Sequence, residues 1–177
     1  MAEVEIHAAH EHAADDFSKG VSVMVGVIGI VLAVVTIASH RAHTASIIEL
    51  TGANDQWSFY QAKKLREHLL DVGAGLLGTL APADPQKAHE LADHYAKERE
   101  RYAKDAQDIQ REAVALGERS KHEENRALRL DLGEGLLELG LVLSSLYFLS
   151  KRRFFPLLGG IAAILGAYAA ITSLWVG

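Results

Sequence analysis

The sequence predicts an all-α integral membrane protein with three transmembrane helices and a long extramembrane antiparallel helical hairpin that resembles a coiled coil. Three apolar segments predict the membrane helices, because about 20 apolar residues in a helix cross a hydrocarbon core about 30 Å thick. The polar section between the first two segments spaces its apolar residues by three and four, which is typical of amphipathic helices. A break rich in proline divides that section into two helices.

The first transmembrane helix is predicted at 21–39, a segment without Asp, Glu, Lys or Arg. The preceding residues 1–20 are rich in Ala, His and acids, and we expect them to form a mobile or weakly helical tail. The acidic flank argues against a cleaved signal peptide, which begins with a basic region. Small residues recur along one face of the helix, and such faces allow membrane helices to approach closely. They include Gly26, Gly29 and Ala33.

The extramembrane hairpin is predicted at 40–129, with a turn near 78–85. Asp84 is a good N-cap for its second helix, and Pro85 suits the first helical position. The predicted inner face of the first helix carries Ile47, Leu50, Asn54, Trp57, Gln61, Leu65, His68, Val72 and Leu76. The nearly heptad face of the second helix carries Leu91, Tyr95, Glu98, Tyr102, Ala106, Ile109, Ala113 and Leu116.

The second and third transmembrane helices are predicted at 130–150 and 154–176. The second contains two acids, but a short basic loop follows it, as in a membrane hairpin. Both helices repeat the small-residue pattern that favours close packing. The residues concerned are Gly140 and Ser144 in the second helix, and Gly159, Ala163, Gly166 and Ala170 in the third.

The basic loop at 151–153 predicts the orientation, because short loops rich in Lys and Arg remain cytoplasmic. The extramembrane hairpin would then be periplasmic in a bacterium. The first transmembrane helix favours the opposite orientation weakly, since its N-terminal flank is acidic and Arg41 lies beyond its other end.

Two acids in the second transmembrane helix are candidates for an ion pathway. Glu134 and Glu138 are four residues apart and share a helical face. Ionisable groups inside a membrane are costly and often functional. The alternative is that both acids lie near the interface, where they reach water or Arg129.

Histidines raise the question of a metal site, because imidazole and carboxylate together bind zinc or copper. His40 and His43 are three apart on a helix but supply only two ligands. A second group, at 7–12, lies in the predicted tail. Solvated or interfacial histidines are the simpler interpretation, and we expect neither a metal site nor a cofactor.

An aromatic patch in the first hairpin helix is a candidate partner surface, since Trp and Tyr are enriched at protein interfaces. Packing within the hairpin is the alternative. The patch comprises Trp57, Phe59, Tyr60, Gln61 and Lys63.

The patch belongs to a motif, Asn-Asp-Gln-Trp-Ser-Phe-Tyr-Gln-Ala-Lys at 54–63. This motif resembles that of the bacterial membrane family catalogued as domain of unknown function 4337. The order of elements is also similar: one span, a helical section and two closing spans. The stretches 131–134 and 150–153 add to the resemblance, which covers roughly 21–176. It implies a bacterial inner membrane location and no reaction.

These observations favour a non-enzymatic protein that assembles in a membrane, as a homo-oligomeric scaffold or as an accessory subunit of a larger complex. Three stripes of small residues exceed what one three-helix unit needs for its own packing. A small ion or proton channel that uses the two intramembrane acids is the alternative. Lipid is the expected environment, and the absence of a large basic field excludes nucleic acid as an expected partner.

Overall fold

The computed structural model describes residues 2–79 and 84–175, with side chains from residue 16 onward. Helix α1 runs Ala2–Thr79, α2 runs Pro85–Ser150 and α3 runs Phe154–Thr172, continued by a 3-10 turn at Ser173–Trp175. The all-α prediction is therefore confirmed for the described residues. Each of the three helices contains a segment that is long and apolar enough to cross a membrane.

Helix α1 ends and α2 begins close to the predicted turn, but α1 begins at Ala2, so residues 2–20 of the predicted tail are helical. Asp84 Oδ1 accepts the backbone N–H groups of Gln86 and Lys87 at 3.2 Å, so it caps α2 as its sequence position predicts. Lys151, the first residue of the basic loop, has a left-handed backbone (φ 54°) that ends α2. Residues 80–83 of the predicted turn and most of the predicted tail over 1–20 lie outside the residues described with side chains.

The chain divides into two compact units that share α1 and α2. The three-helix unit comprises Met1–Ala45 and His122–Gly177, and the hairpin unit comprises Ser46–Lys121. In the three-helix unit, α1 contributes buried side chains at seven-residue steps, namely Val21, Ile28, Val35 and Ala42. The last three of these pack in a core with Leu130 and Leu137 of α2 and with Ala163 and Ala170 of α3.

Helices α2 and α3 meet backbone to backbone at glycines. A Cβ atom added to Gly140 would lie 2.8 Å from the Gly159 carbonyl oxygen, and one added to Gly166 would lie 2.7 Å from the Gly133 carbonyl oxygen. Contacts this short leave no space for a side chain, so glycine is required at these positions. Every predicted small residue of α3 from Gly159 to Ala170 is buried in this contact or beside it.

In the hairpin unit, the predicted inner face is largely right on α2 and wrong on α1. Ala106 and Ala113 of α2 are buried as predicted, although Leu91 is 40% exposed. Ala53 of α1 is buried instead of its neighbour Asn54. The exposed residues of the predicted α1 face are Ile47, Leu50, Asn54, Gln61, Leu65, His68, Val72 and Leu76.

The physical reason is a rotation of α1 by about 100°, the turn that a shift of one residue produces in a helix. Small residues at the contact and ion pairs across it select this rotation. Lys63 Nζ lies 2.7 Å from Asp105 Oδ2, and Arg99 Nη1 lies 2.6 Å from Asp71 Oδ1. Larger apolar residues of α1 are consequently left on its outer side.

We expect Gly140→Ala to lower the free energy of unfolding by about 1–3 kcal/mol, because the methyl group would force α2 and α3 apart. The matched control is Gly135→Ala on the same helix, where no atom lies within 4 Å of an added Cβ. The control should gain up to about 1 kcal/mol from helix propensity. Unfolding followed by circular dichroism in mild detergent measures both, and equal stabilities would contradict the glycine contact.

Candidate functional site

A cluster of polar side chains interrupts the apolar contact between α1 and α2 in the three-helix unit. Helix α1 contributes Thr36, Ser39 and His43, and helix α2 contributes Asp131 and Glu134. The α1 residues are three and four positions apart, and the α2 residues are three apart, so each set lies along one side of its helix. We refer to these five residues as the polar cluster.

Asp131 is the centre of the polar cluster, because each of its carboxylate oxygens has a partner on α1. The Ser39 hydroxyl donates a short hydrogen bond to Oδ1. His43 Nε2 lies 2.9 Å from Oδ2. Ser39 is only 1% exposed, so the carboxylate replaces the water that its hydroxyl has lost.

Glu134 lies about one helical turn further along α2 and repeats the same kind of contact. The Thr36 hydroxyl donates to Glu134 Oε1 at 2.7 Å, and both side chains are half-buried. Leu137, which follows Glu134 by three residues, is buried in the apolar core. Ala127 is buried in the same core on the other side of the cluster, so apolar contacts flank the cluster on both sides.

This geometry supports positioning of helices more than covalent chemistry. A nucleophilic serine needs a hydrogen bond to its base. Here the Ser39 hydroxyl bonds to the carboxylate, and His43 bonds to the other oxygen of the same group. Hydroxyl and imidazole groups of α1 bond to the carboxylates of Asp131 and Glu134. These bonds fix the register of α1 against α2, as polar residues do in helical bundles.

The two predicted intramembrane acids occupy different environments. Glu134 belongs to the polar cluster, whereas the Glu138 side chain is exposed. Among the described residues, Glu138 makes no hydrogen bond or ion pair. Their four-residue spacing thus does not give them a common partner.

The two candidate metal ligands separate in the same way. His43 contacts Asp131, while His40 is exposed. Among the described side chains, no group of three or more His, Asp or Glu residues is arranged to hold a metal ion. The histidine group at 7–12 lies outside the residues described with side chains.

The aromatic patch is divided between the seam of the hairpin unit and its outer side. Trp57 and Tyr60 are half-buried and stack edge to face, with ring centroids 5.4 Å apart. Lys63 extends toward α2, where its hydrogen bond to Asp105 lowers the pKa of that carboxyl group below its ordinary range. Phe59 is 60% exposed and Gln61 is also exposed, so these two residues remain available to a partner.

The predicted packing residues show a similar division between helices. Gly140 and Ser144 of α2 are buried in the contact with Gly159, Ala163, Gly166 and Ala170 of α3. On α1, Gly26 and Ala33 are exposed, and no atom lies within 4 Å of a Cβ added to Gly26 or Gly29. The small-residue face of α1 therefore has no packing partner within the described part of the chain.

Sequence reasoning identified Glu134 and His43 of the polar cluster as candidate site residues, but it did not identify Thr36, Ser39 or Asp131. The spacing of the α1 residues was visible, but their partners are some 90 positions away in sequence. Pairing them requires the register between α1 and α2, which helical periodicity does not supply.

Comparison with known families gives one match. The family model described as Domain of unknown function (DUF4337) matches residues 17–176, nearly the whole chain. The resemblance indicated by the motif at 54–63 is thereby confirmed. The comparisons with curated proteins and with solved structures found no match.

We expect Asp131→Ala to lower the free energy of unfolding by about 1–3 kcal/mol, because it leaves the buried Ser39 hydroxyl without an acceptor. Asp131→Asn retains one oxygen acceptor and should cost less. Glu138→Ala, which removes an exposed acid from the same helix, serves as the control. Thermal unfolding in detergent measures all three, and an Asp131→Ala variant as stable as the control would contradict this role.

Proposed function

We propose that this chain, which belongs to the family described as domain of unknown function (DUF4337), is a non-enzymatic membrane protein that assembles. It would act as a homo-oligomeric scaffold or as an accessory subunit of a larger membrane complex. In this proposal the three apolar segments cross a bacterial inner membrane, and the hairpin unit is an extramembrane, coiled-coil-like stalk. The hairpin is periplasmic and the 151–153 loop cytoplasmic.

The small-residue face of α1 is the observation that carries this proposal. Ser22, Gly26, Gly29 and Ala33 lie on a different side of α1 from the buried series that includes Ile28 and has a seven-residue period. The small residues of α2 and α3 pack against each other, so they need no further partner. In a membrane, exposed glycines permit close approach of another helix. A lipid chain packs less well than a helix against such a surface.

A second exposed stripe supports the same conclusion in the hairpin unit. Leu65, Leu69, Val72 and Leu76 follow one another at steps of four, three and four residues, and between 48% and 61% of each residue is exposed. This spacing is that of a helix-packing seam, and it lies opposite the seam that α1 forms with α2. Exposed apolar stripes of this kind mark protein interaction surfaces.

The polar cluster fits a structural role within this assembly. Its two carboxylates accept hydrogen bonds from Thr36 and Ser39, which hold α1 in one register. A fixed register keeps the outward faces of α1 at constant positions. Partners would consequently meet a single, preformed surface.

Assembly is tested by the mass of the purified protein in native lipid discs. We expect the wild type to be an oligomer or to retain a stoichiometric partner. Gly26→Leu combined with Ala33→Leu should shift it toward the monomer, because bulky side chains prevent close helix approach. The control is Gly20→Leu, which also adds a side chain into open space on α1 but on another face. A wild-type monomer without a partner would overturn the proposal.

An ion or proton channel is the second candidate, and the exposure of Glu138 favours it. The neighbouring Leu139 and Val142 are 57% and 58% exposed, so Glu138 lies beside an exposed apolar surface. A carboxylate on an apolar surface at membrane depth is costly unless protein or water covers it. In an oligomer, one Glu138 from each copy could line a water-filled pore.

Flux measurements in liposomes distinguish the channel from a scaffold. If the pore exists, Glu138→Gln should lower cation or proton flux by about tenfold or more, because it removes the charge that attracts cations. Glu134→Gln should change flux less, since Glu134 is already bonded to Thr36. Absence of flux above that of empty liposomes, or unchanged flux in Glu138→Gln, would contradict this candidate.

A further inference from the structure

A groove on the surface of the three-helix unit has one apolar and one cationic end. Its apolar end is a cavity of about 450 Å³ between α1 and α3, lined mainly by aliphatic side chains such as Ile30, Val34 and Leu174. Its polar end is a cavity of about 470 Å³ that reaches Arg41, Glu123 and Arg126. Val34, Ala38 and Arg126 line both cavities, so the two form one continuous groove.

The cationic end carries more positive than negative charge. Arg41 is exposed and makes no ion pair with the described residues. Arg126 has one anionic contact, to Glu123 on its own helix at 3.4 Å, which is too long for a strong hydrogen bond. Two guanidinium groups thus face one carboxylate, and both retain donors for an external anion.

Aromatic and aliphatic residues place this cationic end at the boundary of the apolar segments. Ser173 and Leu174, from the 3-10 turn that ends α3, line the groove beside Arg126. The next residue, Trp175, is 84% exposed. Trp at the end of a membrane helix typically lies at the level of lipid headgroups. The groove therefore passes from hydrocarbon depth to headgroup depth.

We infer that this groove binds a diacyl phospholipid with an anionic headgroup. One acyl chain lies along the aliphatic end, and the phosphate accepts hydrogen bonds from Arg41 and Arg126. Guanidinium groups suit phosphate because their planar donors match two of its oxygens. Both cavity volumes are within the range of about 300–1,000 Å³ that ligand sites occupy. The inference rests on the membrane location in the proposed function but not on assembly.

Native mass spectrometry of the detergent-solubilised full chain tests this inference, with phosphatidylglycerol and phosphatidylcholine of the same acyl chains supplied in equal amounts. We expect phosphatidylglycerol to be retained preferentially. Arg41→Gln combined with Arg126→Gln should lower its retention about tenfold, toward that of phosphatidylcholine. The matched control is Lys151→Gln with Arg152→Gln, which removes the same charge from the loop at the other end of α2.

A second pair of variants tests the acyl end. Ala167 lines the apolar cavity, so Ala167→Leu should fill it and lower retention of both lipids, whereas Ala162→Leu on the same helix should not. Equal retention of the two lipids by the wild type, or unchanged retention in the double arginine variant, would overturn the inference. Displacement of lipid by inorganic phosphate would also overturn it, because the site would then bind a free anion.

The same spectra report the mass of the assembly. An oligomer without lipid preference would overturn the lipid site alone, and a monomer with lipid preference would overturn the assembly alone.

Discussion

The backbone contact between α2 and α3 is the constraint on which the three-helix unit depends. Gly140 against Gly159, and Gly133 against Gly166, bring the two helices closer than any side chain would permit. At this separation only the small residues of α3 fit against α2, and the larger residues of α3 lie on the rest of its surface. One consequence is the groove between α1 and α3, which a third helix packed against such a close pair does not fill.

The polar cluster selects one register of α1 against α2, which the apolar contacts alone do not. Aliphatic side chains at seven-residue steps pack almost equally well if α1 slides by two turns along α2. Such a slide would separate Ser39 from Asp131 and leave a hydroxyl that is 1% exposed without its acceptor. Because a buried unpaired polar group costs about 1–3 kcal/mol, the observed register is strongly preferred.

The sequence predicted the helical segments, the break that separates α1 from α2 and the buried face of α3, because each depends on local composition and spacing. Gly159 and Gly166 could be assigned to a contact because they belong to a stripe of small residues at steps of three and four along α3. Helix α1 could not be oriented in this way. It carries two usable series one position apart, and the larger apolar residues, such as Leu65 and Val72, are outside. Ion pairs such as Lys63–Asp105 decide between them, and these depend on residues distant in sequence.

The proposed assembly accounts for the exposed large residues of α1. On α1 of the hairpin unit, Ala53 is buried and Trp57 and Tyr60 are half-buried, while Leu65 and Leu69 are exposed. In the proposed assembly this exposed apolar area would serve another surface. In the apolar segment of α1, the small-residue face around Gly26 is also without a partner in the described chain. There the affinity for another helix would come from close approach of the two helices and not from a large apolar area. Helix α2 contacts both other helices of the three-helix unit, and in the proposed assembly α1 would present the surfaces for association between chains.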